Sequence, residues 1–355
     1  MIGLLAFLFM LSFIVIIHEL GHFLVARHFG IHCHEFSIGM GPCIYQRQGK
    51  QTIFSIRAIP FGGYVMMAGE QDGSQDEEED DWLKNVKEEE KLNHKPVWQQ
   101  ICVMAAGVIM NLLLAWIMMV SITMVQGKVV VSQQPVIYEV QKGSDAAKAG
   151  LQEGDRIVKA YASGKEMDID SQSDLSEFIQ YYHEDFQLEV IRDNKKVRIE
   201  LQASYNEEMK GYTIGIVSSV QTRKIHWIEA FKYGTDQCID LTASIYRSLG
   251  MLLQGKGLEN LSGPVGIYSV TAQSTSYGLL SYLTLFAMIS LNIGIFNLIP
   301  IPALDGGRIL IILIEKFIHR KISPKIIEGI ILGSFVLLFG LLIFATYNDV
   351  IRLLM

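Results

Sequence analysis

The sequence predicts an α-helical polytopic membrane protein of about four transmembrane helices, with a membrane-associated β-hairpin after the first and an α+β module inserted between the second and third. Half of the 355 residues are apolar and only 19% are charged, and mean hydropathy is +0.28. That excludes a disordered or collagen-like chain and argues against an ordinary soluble enzyme. The apolar residues gather in four runs, and turn chemistry gathers between them. Thirty Lys+Arg against 37 Asp+Glu leave a net charge of -7, with no basic excess to neutralise a phosphate backbone, so no nucleic-acid partner is expected. Cys33, Cys43, Cys102 and Cys238 lack CxxC spacing. They indicate neither a disulfide framework nor a cysteine zinc site.

Met1 to Ile17 carry no charge, and apolar character resumes after His22, a span of about 24 residues that can cross a bilayer. A cleavable signal peptide would have a basic start and a small-residue cleavage site, so a retained helix is expected. Further runs lie at about Val97–Val125, Leu279–Leu304 and Ile330–Tyr347. Arg308, Lys316, Arg320, Lys321 and Lys325 fall in the link between the last two, against Arg352 after the fourth. The positive-inside rule then puts that link in the cytoplasm and both termini outside.

After the first span, Cys43 to Ala58 alternate and are interrupted at Gly49-Lys50, which reads as a hairpin, with Pro60-Phe61-Gly62-Gly63-Tyr64 as a turn. The acidic stretch Glu70–Glu90, with its block Asp76–Asp81, reads as a solvated loop or a partner-binding segment. Between spans two and three, Val136–Val140 predicts a strand, Ser144–Ala149 a short helix ended by Gly150, and Ser173–Tyr182 a second helix. Phe186, Leu188 and Val190 alternate with polar neighbours, as do Val197, Ile199 and Leu201 across the Asp193-Asn194 turn. Trp227–Leu253 is too polar to span. It predicts an amphipathic helix on the membrane surface or against the module.

The sharpest chemistry lies inside the first span. His18-Glu19-Leu20-Gly21-His22 is an HExxH pattern, so a continuous helix projects both imidazoles from one face, where they can chelate zinc while Glu19 reaches a water on the metal. An accidental HExxH arises about once in a hundred such chains. Each ionisable group at the bilayer centre costs about 2.5–3.5 kcal/mol on insertion scales, so three within five residues need a binding partner. The alternative is histidines hydrogen-bonded between helices.

A catalytic zinc normally takes three protein ligands. The third run ends in Asn297-Leu298-Ile299-Pro300-Ile301-Pro302-Ala303-Leu304-Asp305-Gly306-Gly307. Two prolines without amide donors, followed by two glycines, predict a broken helix, tolerated at membrane depth only against protein or a wet cavity. Asp305 stands at the break as a candidate ligand, or as a helix-terminal Asp at the cytoplasmic edge.

These two motifs, HExxH and Asn-x-x-Pro-x-Pro-x-Leu-Asp-Gly, resemble those of the site-2 protease family of intramembrane zinc metalloproteases, and the bacterial regulator-of-sigma-factor type with a single PDZ domain is the most similar. Gly150-Leu151-Gln152-Glu153-Gly154-Asp155-Arg156-Ile157 matches the PDZ signature Gly-Leu-x-x-Gly-Asp-x-Ile. Phe61-Gly62-Gly63-Tyr64 resembles the glycine-rich turn of the family's β-loop, and Ser262–Ile267 a family element before span three. The family often has Gly-Pro ahead of an Asn in span two. This chain reads Gly107-Val108-Ile109-Met110-Asn111.

The resemblance implies zinc held by His18, His22 and Asp305, with Glu19 as the catalytic base that moves a proton from water to the leaving nitrogen. It implies that Asn297, Pro300 and Pro302, with Gly62, Gly63 and Tyr64, bind an unwound substrate segment, to which the hairpin can add a strand. The implied partners are the lipid bilayer and transmembrane protein substrates such as anti-sigma factors or signal-peptide remnants. The PDZ groove can take a peptide terminus or act as a size filter. The expected organisation is a protease core at 1–126 and 279–355, a PDZ domain at 127–203 on the extracytoplasmic side of a bacterial plasma membrane, and a linker with the amphipathic segment at 204–278. A metal-free scaffold would lack Glu19 or a ligand, and a transporter would show an inverted repeat. Neither pattern is present in the sequence.

Overall fold

The computed structural model describes residues 2–70, 82–132, 135–207, 211–218, 221–255, 257 and 261–354; the acidic block Asp76–Asp81 lies outside them. Along the chain run α1 (Ile2–His28), β1 (Cys33–Gln48), β2 (Ile53–Met67), α2 (Val97–Gln126), β3 (Lys128–Ser132), β4 (Ile137–Val140), α3 (Asp145–Ala149), β5 (Arg156–Ala162), β6 (Lys165–Asp168), α4 (Gln172–Tyr181), β7 (Phe186–Arg192), β8 (Lys195–Leu201), β9 (Ser204–Asn206), β10 (Gly211–Thr213), β11 (Ile216–Ser218) and β12 (Gln221–Lys224). Then follow α5 (Trp227–Leu253), α6 (Pro264–Ser276), α7 (Leu279–Asn297), α8 (Asp305–Ile318) and α9 (Pro324–Leu354). They form two compact units. One comprises Met1–Ile122, Gly234–Arg247 and Glu259–Met355, the other Thr123–Tyr233 and Ser248–Leu258.

In the first unit α1, α2, α7 and α9 are long and apolar enough to cross a membrane. The third run stops as a helix at Asn297, short of the expected Leu304, because Pro300 and Pro302 cannot donate to a helical ladder; the chain resumes as α8 at Asp305. Phe7, Met10 and Ile14 of α1 bury against Phe286 of α7. Where α1 crosses α2 the backbones nearly touch, since a Cβ on Gly21 would lie 2.5 Å from the carbonyl oxygen of Ala106. Small residues permit such approaches between membrane helices. The amphipathic α5 packs Cys238 and Leu241 onto Met119 and Ile122 of α2 and Ala287 of α7, and Trp116 Nε1 donates to Thr235 Oγ1 at 2.9 Å.

The Ser262–Ile267 element has a structural reason. Buried Asp349 of α9 accepts from the amides of Gly263 (2.8 Å) and Gly266 (2.7 Å), capping α6. A Cβ on Gly266 would lie 2.6 Å from Asp349 Oδ1.

The hairpin is longer than its alternation suggests and folds over itself. Cys43–Gln48 pairs back onto Ile53–Arg57. Glu35–Ile38 faces Ile53–Ile56 with both numbers ascending, and also pairs with Gly63–Met66. The predicted turn at Pro60–Tyr64 is where the chain passes from one pairing to the other, with Gly62 at φ +86°, a region open to glycine.

In the second unit β6-β5-β7-β8 form an antiparallel sheet and β4 pairs with β11. Alternating Leu188 and Val190, with Ile157, Leu175 and Phe178, make its core. Ser144 caps α3 by accepting from the Ala147 amide and Gly150 ends it at φ +85°, while Ser171 and Asp174 form a capping box on α4. Asp193 and Asn194 both take positive φ in the β7–β8 turn. Asp155, 1% exposed, accepts from Arg192 Nε and Nη2 at 2.7 Å each and from the Gln152 amide at 2.9 Å.

Candidate metal centre

The centre starts from the helical period. In α1, His18 and His22 are four residues apart, so their rings share a face, and both are buried. Asp305 joins them from another direction as the first residue of α8. Its position depends on the loop before it. A Cβ on Gly306 would lie 2.2 Å from the Leu298 carbonyl oxygen, and one on Gly307 2.1 Å from that of Ile301. The loop therefore lies directly on these two glycines, and any side chain there would push α8 away. Asn297 closes α7, and Pro300 and Pro302 lie in this loop.

Asp305 Oδ2 is 3.1 Å from His18 Nε2 and 3.4 Å from His22 Nε2, and the two Nε2 atoms are 3.2 Å apart. Oδ2 is buried without a hydrogen-bond partner. Two ring nitrogens and a carboxylate oxygen converged in this way could hold one cation between them. Zinc bonds of about 2.0–2.1 Å in a tetrahedron leave ligand atoms about 3.3 Å apart, so the observed triangle fits one face of a zinc tetrahedron. Among the described residues these are the three that could hold a metal ion.

Helix α2 closes the back of the centre. His22 Nδ1 is 2.8 Å from the carbonyl oxygen of Val103. A carbonyl only accepts, so Nδ1 carries the proton and Nε2 turns its lone pair toward Asp305. A Cβ on Gly107 would lie 2.4 Å from His22 Nε2 and 2.7 Å from His18 Cε1. In the sequence this reach of α2 shows only as Gly107-Val108 where the family often has Gly-Pro. Asn111 Nδ2 lies 3.3 Å from His18 Nδ1.

Glu19 points toward the hairpin: its Cγ is 3.9 Å from where a Cβ on Gly63 would stand, and that Cβ would also meet the Ser37 carbonyl oxygen at 2.7 Å. Gly62 adjoins Met40. Tyr64 donates from its hydroxyl to Glu35 Oε2 at 2.8 Å. Glu35, which no sequence pattern marks, pins the hairpin: Arg57 Nη2 donates to Oε1 at 2.8 Å and Ser55 donates to the same oxygen. Burial pushes the Glu35 carboxyl up, but hydrogen bonds from Ser55, Arg57 and Tyr64 more than offset it and hold it below its ordinary value. Arg308, one turn beyond Asp305, pairs with Glu70 at the end of the hairpin.

The profile described as peptidase family M50 matches residues 6–341. The regulator of sigma-W protease RasP of Bacillus subtilis is 31% identical over 98% of both chains. The zinc metalloprotease RasP of Bacillus licheniformis has the same identity and coverage. A relative from Clostridium acetobutylicum, also carrying a zinc metalloprotease name, is 33% identical over 95% of this chain and 94% of its own.

Proposed function

Since this chain belongs to peptidase family M50 and is a multi-pass membrane zinc metalloprotease, we propose that it cuts within the transmembrane segments of single-span membrane proteins. Anti-sigma factors and signal-peptide remnants are the substrate classes; the sigma-W regulator among its relatives supports the first. The observation that carries the proposal is the triangle of His18, His22 and Asp305 donor atoms on helices otherwise apolar enough to lie in a bilayer. Charged and chelating groups placed there are functional by default.

In this reading His18, His22 and Asp305 hold zinc, which when bound polarises the scissile carbonyl and acidifies water. Glu19 takes the proton of the attacking water and delivers it to the leaving amide nitrogen. The Val103 carbonyl keeps the His22 proton on Nδ1, away from the reacting atoms. A substrate helix hides its peptide bonds in its own ladder, so it has to be unwound first. The hairpin beside Glu19 offers strand edges for the unwound segment. Gly63 leaves the clearance a backbone needs, Gly62 and Tyr64 shape the same passage, and Asn297, Pro300 and Pro302 bound it on the side of the loop. Pro300 and Pro302 contribute carbonyls without competing amides.

The second unit is read as a PDZ domain on the strength of Gly150–Ile157, with Asp155 locked by Arg192. The basic link from Arg308 to Lys325 supports a cytoplasmic α8 and an extracytoplasmic PDZ domain in a bacterial plasma membrane. There it takes a peptide terminus or screens substrates by size.

Purified protein in detergent should cut a single-span substrate within its span. Glu19→Gln should keep zinc and lose cleavage, and Asp305→Ala should lose both. Full activity in Glu19→Gln would refute the role given to Glu19.

A further inference from the structure

We infer that Asn111 of α2 is a positioning residue for the metal centre, accepting the His18 Nδ1 proton through its amide oxygen and so fixing the tautomer that turns Nε2 to the metal. The inference rests on the metal-binding reading of His18, His22 and Asp305 above.

Three observations lead to it. Asn111 is 0% exposed, in the middle of an apolar helix where an amide needs a reason. Its Oδ1 is buried without a partner, while its Nδ2 sits 3.3 Å from His18 Nδ1. In that orientation Nδ1 would be the acceptor, which puts the ring proton on Nε2, 3.1 Å from Asp305 Oδ2 and aimed at the metal position. A ligating nitrogen cannot keep that proton. Turning the amide over its own axis exchanges oxygen and nitrogen within the same volume. Oδ1 then accepts from Nδ1–H, and the Nε2 lone pair faces Asp305.

The placement matches that of the other histidine. His22 Nδ1 meets the carbonyl oxygen of Val103, and Val103, Gly107 and Asn111 follow one another at four-residue spacing, a single face of α2. One face thus supplies an acceptor for each ring, with a glycine between them that lets the helix come close. Asn111 is itself held in place: Ser290 Oγ donates to its backbone carbonyl at 2.9 Å, and Gly294 of α7 leaves room for its Cβ. Ligating histidines commonly donate their other nitrogen to such an acceptor, whose removal weakens metal binding about 10–100-fold.

The test is zinc affinity of the full chain in detergent, by competition with a chelator, for wild type, Asn111→Leu, Asn111→Asp and His18→Ala. Asn111→Leu keeps the shape and removes the acceptor, and its affinity should fall about 10–100-fold. Asn111→Asp restores an acceptor and should bind zinc at least as tightly as wild type. A packing role predicts the reverse order, because a second buried carboxylate disturbs apolar neighbours more than Leu does. Leu at wild-type affinity, or Asp below Leu, overturns the inference. If Asn111→Leu does not fold, a drop of more than about tenfold in Asn111→Asp does the same. His18→Ala separates the two levels: unchanged zinc binding there defeats the metal-site reading itself, whereas its loss with an indifferent Asn111 defeats only this inference.

Discussion

Gly107→Ala adds one methyl group against both histidines of the candidate metal centre. The new Cβ would lie 2.4 Å from His22 Nε2 and 2.8 Å from His18 Nε2. Ordinary contact begins at 3.4 Å, so the His22 ring or the whole of α2 has to retreat by about 1 Å, beyond the ±0.2 Å within which a zinc site holds its distances. Ala is the better helix former by about 1 kcal/mol, but overpacking costs about 1–3 kcal/mol. The steric term also falls on His18 and His22 themselves. Zinc affinity should therefore drop at least about tenfold, or about 1.4 kcal/mol, and cleavage should drop with it. The control is Gly333→Ala in α9, where nothing lies within 4 Å; it should match wild type. Zinc content and chelator competition on the detergent-purified protein provide the measurement. Wild-type affinity in Gly107→Ala would refute the close approach of α2 to the histidines.

Other consequences follow from named contacts. Because the Glu35 carboxyl is held below its ordinary value of 4.5, its contribution to hairpin stability is fully present above pH 4.5 and is lost as pH falls through the lowered folded-state value. Hydrogen exchange across β1 and β2 should stay slow down to about pH 4.5 and quicken below it, and a hairpin that loosens first at neutral pH would contradict this. Asp349→Ala strands the amides of Gly263 and Gly266 and, at about 1.5–3 kcal/mol per bond to a charged group, should lower Tm by several degrees in detergent; an unchanged Tm would remove Asp349 as the cap of α6. Asp155→Ala leaves Arg192, only partly exposed, without its carboxylate and should destabilise the second unit by about 2–3 kcal/mol, below the 3–5 of a fully buried pair. Thermal unfolding followed by proteolysis of residues 123–233 checks it, and resistance equal to wild type would count against it.

Features that arise within a few residues were legible from sequence. Apolar runs announce the spanning helices because a bilayer demands length and composition together. HExxH announces its pair of facing histidines because helical period alone brings i and i+4 onto one face. The break near Asp305 is announced by prolines that cannot donate and glycines that admit a carbonyl. In the module, alternation and the Asp193-Asn194 turn marked the strands.

Elsewhere the local signal was silent or misleading. Pro60–Tyr64 reads as a plain turn, yet it is where β2 changes partners, which depends on a strand some twenty-five residues upstream. Glu35 and Asp349 look like ordinary acids among many. They become pins only when Ser55, Arg57 and Tyr64, or Gly263 and Gly266, are brought to them.

The sequence alone therefore determined that this is a membrane protein, that two histidines and a glutamate stand on its first span, and that the third span breaks at an aspartate, since each of these follows from covalent neighbours and helical pitch. Only the tertiary structure decided that Asp305 closes a triangle with those histidines and that Val103, Gly107 and Asn111 stand behind them. A helix crossing joins residues some eighty to ninety positions apart in the chain, and no spacing rule spans that distance. The physical reason is clearance: whether two helices can meet at a metal depends on which side chains are absent where they cross, as at Gly21 and Gly107.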